Sequence, residues 1–187
     1  LYLLGADSNT VTGSLLSNQS GSAVYFDTDS NYNTVSLSTM FAAGANLYAL
    51  FINGSDSNTV AGSYLQNASG YGAYLNTGAD YNVIAQSTMA VNNATYRALY
   101  LLGADTNTVT GSAIYNLAGS AAYLDSGADW NTISLSTMIS NTANVYALDI
   151  TGGDTNTVTA SYIQNLSGYG AGLNTGADYN FISQSTI

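Results

Sequence analysis

Cysteine, proline, histidine, lysine and glutamate are all missing from this 187-residue chain, and arginine occurs once, as Arg97. Each absence closes a class of function. Without Cys and His there is no thiolate nucleophile, imidazole base, disulfide or ordinary zinc site. A single cation cannot neutralise a row of phosphates, so nucleic acid is excluded as a partner, as is attraction to anionic lipid. No apolar run approaches the ~18 residues that a membrane-spanning helix requires, so no membrane insertion is expected. The opening Leu1-Tyr2-Leu3-Leu4-Gly5 has neither an initiating Met nor a charged signal-peptide start, as expected of an internal piece of a longer protein.

What is present is acidic, weakly charged and apolar enough to fold. Eleven Asp give a net charge of −10. Charged residues make up only 6% of the chain, where roughly a quarter is usual. Hydrophobic residues make up 46%, so a chain of this length can bury a sizeable core.

The string Asp-x-Asn-Thr-Val or a near variant recurs along the whole chain. Its Asn stands at Asn9, Asn33, Asn58, Asn82, Asn107, Asn131, Asn156 and Asn180, at spacings that alternate between 24 and 25 residues. Units pair into a 49-residue repeat, and LYLLGADSNTVTGS from Leu1 returns as LYLLGADTNTVTGS from Leu99. A unit this short cannot hold two helices. Val, Ile, Thr and Tyr are frequent, Gly and Asn punctuate them, and no 3.6-residue apolar stripe appears. The pattern predicts an all-β fold: a parallel β-solenoid of eight coils with three short strands per turn. The coils fall at 1–24, 25–49, 50–73, 74–98, 99–122, 123–147, 148–171 and 172–187, as one continuous domain.

Stacking the units places equivalent residues about 4.8 Å apart. One column is entirely β-branched: Val11, Val35, Val60, Ile84, Val109, Ile133, Val158 and Ile182. Another runs Leu16, Met40, Leu65, Met89, Ile114, Met138, Ile163 and Ile187. Both are expected to face inward. In the remaining strand Asp149 sets the register, because a lone carboxylate cannot face a dry core. Leu148 and Ile150 then point in, together with Leu50, Ile52, Ala73, Leu75, Leu99, Leu101, Ala122 and Leu124. The extra residue of the longer units is expected to be absorbed at a turn.

Two polar columns are invariant. One is the Asn column. The other is Ser14, Ser38, Ser63, Ser87, Ser112, Ser136, Ser161 and Ser185. Asn amides stacked at a turn and Ser hydroxyls capping strand ends give a structural reading, with ligand binding as the alternative. A third column, Asp7, Asp56, Asp80, Asp105, Asp129, Asp154 and Asp178, is interrupted by Asn31. Carboxylates 4.8 Å apart repel by about 0.9 kcal/mol in water. The carboxylates are expected to bond their own turn backbone and no cofactor is expected, the alternative being a Ca²⁺ ladder along the column.

The pattern Asn-Thr-Val/Ile-x-x-Ser-x-Leu/Met-x-Asn followed by Gly-x-Gly-Ala-x-Leu, as in NTVAGSYLQNASGYGAYL from Asn58, resembles the parallel β-helix repeats of the pectin-lyase-like superfamily. It is most similar to the NosD-like and bacterial surface-protein versions. The resemblance covers all eight units and implies a right-handed coil, but that fold hosts lyases, hydrolases, epimerases, adhesins and tailspikes. The enzymatic relatives use a basic residue near calcium-binding carboxylates, or clustered Asp with His and Lys nearby. Here Arg97 stands alone and the Asp residues are spread one per coil. No catalytic residue is expected.

Tyr32, Tyr81, Trp130 and Tyr179 precede the Asn column in every second unit. Phe51, Tyr74, Tyr100 and Tyr123 are expected to point outward on another face. Such rings either pack across strands or contact sugars or a neighbouring solenoid. Asn18, Asn53, Asn67, Asn93 and Asn165 each begin an Asn-x-Ser/Thr sequon. Neither end shows a distinctive cap, which a lone solenoid needs. These features lead to the expectation of a non-enzymatic structural module of an extracellular, cell-surface filament, bacterial in origin. Its partners are expected to be further repeats or copies of itself, end to end. The alternative is a carbohydrate-binding adhesin region. A polysaccharide lyase and an ice-binding protein rank below these, the second because Thr106-Asn107-Thr108 and Thr155-Asn156-Thr157 occur only in alternate units.

Overall fold

The computed structural model describes residues 1–187 and contains 23 strands and no helix. The chain winds as a right-handed parallel β-solenoid of about eight turns. Every third strand lies in the same sheet. Sheet A holds eight strands, from β1 (Tyr2–Leu4) to β22 (Tyr169–Asn174), and sheet B eight, from β2 (Thr10–Thr12) to β23 (Phe181–Ser183). Sheet C holds seven, from β3 (Leu15–Asn18) to β21 (Tyr162–Asn165), and Thr186 adds a parallel bridge to Tyr162. All strand pairs are parallel, as they must be when the chain repeats one circuit. Backbone bonding does not stop at the strand ends: 48 of the 105 backbone hydrogen bonds lie outside the strands. The turns therefore belong to the same inter-coil ladders.

The strands are too short to be stable alone, and packing between the three sheets holds them. The β-branched column stands in register along sheet B, from Val11 beside Val35 to Val158 beside Ile182. The Leu/Met/Ile column does the same along sheet C, and all its members from Met40 to Ile163 are buried. In sheet A, Leu148 and Ile150 are buried while Asp149 between them points outward, and the expected inward pairs of the other coils are buried as well. The three columns merge into one core of 34 residues.

The two unit lengths differ by more than one residue inserted at a turn. From sheet C to sheet A, the loop between Met40 and Ile52 is two residues longer than that between Leu16 and Phe26. From sheet A to sheet B, the turn between Ile52 and Asn58 is one residue shorter than that between Phe26 and Asn33. The opposed changes keep every core column aligned and leave a net difference of one. The longer loops are clamped by a second Asn set at the end of sheet C. Asn67 donates to the Gly44 and Leu47 carbonyls at 3.1 and 2.9 Å and accepts from the Ser69 and Gly70 amides. Asn165 repeats this with Thr142 and Val145. Gly70 permits the close approach, since a Cβ there would meet the Leu47 carbonyl oxygen.

Ile114 is fully buried in the sheet C column. Ile114→Ala is expected to destabilise the chain by roughly 2–5 kcal/mol, the cost of a large-to-small change in a tight core. Urea denaturation checks this, and a loss under about 1 kcal/mol would mean the core is loosely packed.

Candidate functional site

The turn from sheet A to sheet B concentrates the unusual residues: an Asp, then an aromatic or a small hydroxyl residue, then Asn. The Asn side chain points inward. The backbone amide of each Asn donates to the side-chain oxygen of the Asn one coil further, at 2.8 Å, in seven consecutive bonds from Asn9 to Asn180. The side-chain nitrogens reach back mainly to carbonyls, as Asn33 to Ala6 and Asn131 to Ala104. Side chain to backbone, not amide to amide, is thus the dominant bond. At the next turn the Ser column repeats the device. Each Ser amide donates to the following Ser hydroxyl at 3.1–3.2 Å, and each hydroxyl donates to the carbonyl two residues back.

The Asp column forms a third ladder, where bonds to each residue's own turn were expected. Asp7 accepts the Asn31 amide, Asn31 accepts that of Asp56, and the series continues to Asp178 at 2.7–2.9 Å. A carboxylate oriented toward a backbone amide one coil away gains a charge-assisted bond that offsets repulsion from its neighbours. Burial still pushes the Asp80 carboxyl up, helped by the charges of Asp105 and Asp56, while the Asp105 amide pulls the other way. The column is a line, and nowhere do three acidic groups converge. Calcium takes six to eight oxygens around one point, which this arrangement does not offer.

Between these ladders, Tyr32, Tyr81, Trp130 and Tyr179 all adopt left-handed backbone, with φ of 56–59°. Ser8, Ser57, Thr106 and Thr155 hold the same conformation in the alternate coils. The turn thus dictates the backbone, and a bulky ring there costs of order 1–2 kcal/mol. None of the four rings meets another aromatic ring. Cross-strand aromatic packing therefore does not account for them.

Sheet A has the opposite arrangement. Tyr2, Tyr25, Phe51, Tyr74, Tyr100 and Tyr123 form an unbroken outward stack, with ring centroids 4.6–5.4 Å apart. Tyr48 and Tyr71 flank it, and the outward-pointing Phe51 is itself buried by its neighbours. Burial pushes the Tyr74 hydroxyl up to about 12. The Tyr2 and Tyr100 hydroxyls donate to Asp27 and Asp125 at 2.8 and 2.7 Å. The bond from Asn53, then that from Tyr2, holds the Asp27 carboxyl below its ordinary value.

The stack ends where the repetition breaks. Arg97 lies 5.3 Å from the Tyr123 ring centroid, and the next positions in the column are Asp149 and Gly172. Burial raises the Asp149 carboxyl, opposed by bonds from Asn174 and Thr151 and by the Arg97 charge. Arg97 and Asp149 form no salt bridge, and no cleft opens beside them. The one depression on the molecule is lined by Gln66, Ala68, Ala90, Val91 and Asn92, none of them an acid, base or activated nucleophile.

Two patterns take their meaning only from the structure. Asn18, Asn67, Asn116 and Asn165, which stand at the closing Asn of the repeat pattern and of which three begin sequons, recur every 49 residues. Asn67 is fully buried with its amide nitrogen bonded twice, so it is a structural clamp and not a glycan acceptor. A Thr-x-Thr pair also lies outward on sheet B at Thr10/Thr12, Thr108/Thr110 and Thr157/Thr159. Ala61, Val83, Ala85 and Phe181 interrupt it. The Thr106-Asn107-Thr108 segment is no such array, because Thr106 sits in left-handed turn backbone outside the strand that begins at Thr108.

The fold and its ladders define a parallel β-helix of the pectin-lyase-like type. A family model described as "Periplasmic copper-binding protein (NosD)" matches residues 1–152, about four fifths of the chain, and the chain belongs to that family. No curated protein matches it. Among solved structures it is similar to HetL, a pentapeptide-repeat protein involved in heterocyst differentiation regulation from the cyanobacterium Nostoc. That alignment covers 97% of this chain and 88% of HetL at 13% identity, with a TM-score of 0.18.

Copper does not fit the donors this chain carries. His and Cys are absent. The soft thioethers are Met40, Met89 and Met138, all fully buried in one column and separated by whole coils. Imidazole, thiolate or converging thioethers are what copper selects.

Two substitutions test the ladders. Asn131→Ala removes the acceptor of the Asn107 amide and the donor to Ala104. With both partners buried, it is expected to cost roughly 2–5 kcal/mol in urea melts. Asp80→Asn reproduces the natural Asn31 and keeps the bond to the next coil. It is expected to stabilise by less than about 1 kcal/mol at neutral pH, screening limiting the gain. Because the folded-state carboxyl is raised, the gain is full above that value. It disappears as the pH falls below the ordinary Asp value of 3.8. Thermal melts across this range check it, and a gain that persists in acid would refute the charge account.

Proposed function

We propose that this chain is a non-enzymatic structural module of an extracellular filament or giant surface protein of the cell envelope, built to continue end to end through further coils or copies. The observation that carries this reading is the unbroken run of backbone, Asn, Ser and Asp ladders through every coil. Each interface between coil pairs is chemically the same as the next. A surface of this kind has no means of limiting its own length, which suits a spacer or fibre. The periplasmic description of the family and the low charge support an envelope setting. The absence of a cleft around Arg97 and Asp149 supports a mechanical over a catalytic role.

Negative-stain electron microscopy of the purified chain, paired with sedimentation velocity over a concentration series, tests the proposal. Rods of constant width that lengthen with concentration are expected. A compact monomer at every concentration would count against it.

A further inference from the structure

We propose that the stripe of Tyr32, Tyr81, Trp130 and Tyr179 is a binding track for an extended, uncharged β-1,4-linked polysaccharide. This role goes beyond the structural one and stands on separate observations. Tyr32, Tyr81 and Trp130 leave 61–65% of their surface exposed and Tyr179 leaves 89%. All four sit in a backbone conformation that bulky side chains avoid, at positions the alternate coils fill with Ser or Thr. Exposed, strained and without an aromatic partner, the rings carry a backbone cost that no aromatic contact offsets.

Their spacing and surroundings identify the ligand. Two coils separate successive rings, about 9.6 Å at the ordinary strand spacing. That distance is close to the length of one disaccharide in an extended β-1,4 chain, so every second sugar ring could stack on an aromatic face. Just before the stripe, Asp7, Asp56, Asp80, Asp105, Asp129 and Asp154 each use one oxygen, Oδ1, for the inter-coil ladder. Their Oδ2 atoms make no hydrogen bond and can accept from sugar hydroxyls. Just beyond the Asn column, the outward hydroxyls of Thr34, Thr59, Thr108, Thr132 and Thr157 are likewise unengaged. A ring flanked by free acceptors on one side and free hydroxyls on the other is suited to a sugar, whose faces are apolar and whose edges are polar. The carboxylate line repels anionic polymers, which excludes acidic polysaccharides, and the apolar ring faces suit a chain without charge.

Trp130 is the sole tryptophan, so its emission reports on the track directly. The full chain is titrated with cellohexaose, chitohexaose and, as the anionic control, oligogalacturonate. A saturable change in Trp130 fluorescence with at least one uncharged hexasaccharide, and none with the control, is expected. Binding to insoluble cellulose and chitin is then compared with a variant carrying Tyr32→Ser, Tyr81→Ser, Trp130→Thr and Tyr179→Thr. These residues already occupy the same backbone conformation in alternate coils, so far-UV circular dichroism and rod formation are expected to be unchanged. Binding is expected to fall at least tenfold. The proposal is overturned if neither uncharged hexasaccharide shifts the emission, or if the variant binds within twofold of the parent. It is equally overturned if the variant loses only self-association, which would make the stripe a seat for a second copy. Rods that persist in a non-binding variant separate this track from the proposed structural role.

Discussion

Bonding between one coil and the next is the constraint on which everything else in this molecule depends. A backbone amide finds its carbonyl one circuit away, and in two turns three columns of side chains join the same ladders. Because the partner of each group is its own equivalent, a residue type that works once works at every level. Identity along a column is therefore a physical requirement of the fold, and so is the absence of proline, which would remove an amide from a ladder that crosses even the turns.

The cost of this arrangement is concentrated at the turns. Like charges are stacked, amides are buried and bulky rings are held in left-handed backbone, each unfavourable alone. The first two are compensated within the fold. Each Asp oxygen in the ladder meets an amide, and almost every buried Asn nitrogen has a carbonyl, Asn58 being the exception. The rings have no hydrogen-bonded compensation, a condition they share with the exposed, left-handed Leu37 and Leu135 of the next turn.

Most of the architecture could be read from periodicity, because columns of identical residues have few other meanings. The inward faces of sheets B and C followed from unbroken apolar columns, and that of sheet A from the single carboxylate at Asp149. The direction of hydrogen bonds was harder to read. Whether an Asp bonds its own turn or the next coil depends on a few tenths of an ångström in turn geometry, and spacing carries no such information. The Asn clamps of the longer loops were hidden for a different reason. They repeat only in alternate units, at Asn67, Asn116 and Asn165, so a search for residues shared by every unit passes over them. The aromatic stack of sheet A, with Phe51 covered by its neighbours, likewise became visible only once outward residues could be seen lying against one another.

The compensated loop lengths have a consequence for how such a molecule can lengthen over evolutionary time. An Asn at the end of one short-loop circuit reaches into the long loop of the circuit before it, as Asn67 does into Gly44 and Leu47. Inserting a single circuit would set two like circuits against each other and leave one of these clamps without its carbonyls. Growth by recombination should therefore proceed in doublets, and 49 residues, not 24 or 25, is the smallest increment that leaves every joint intact.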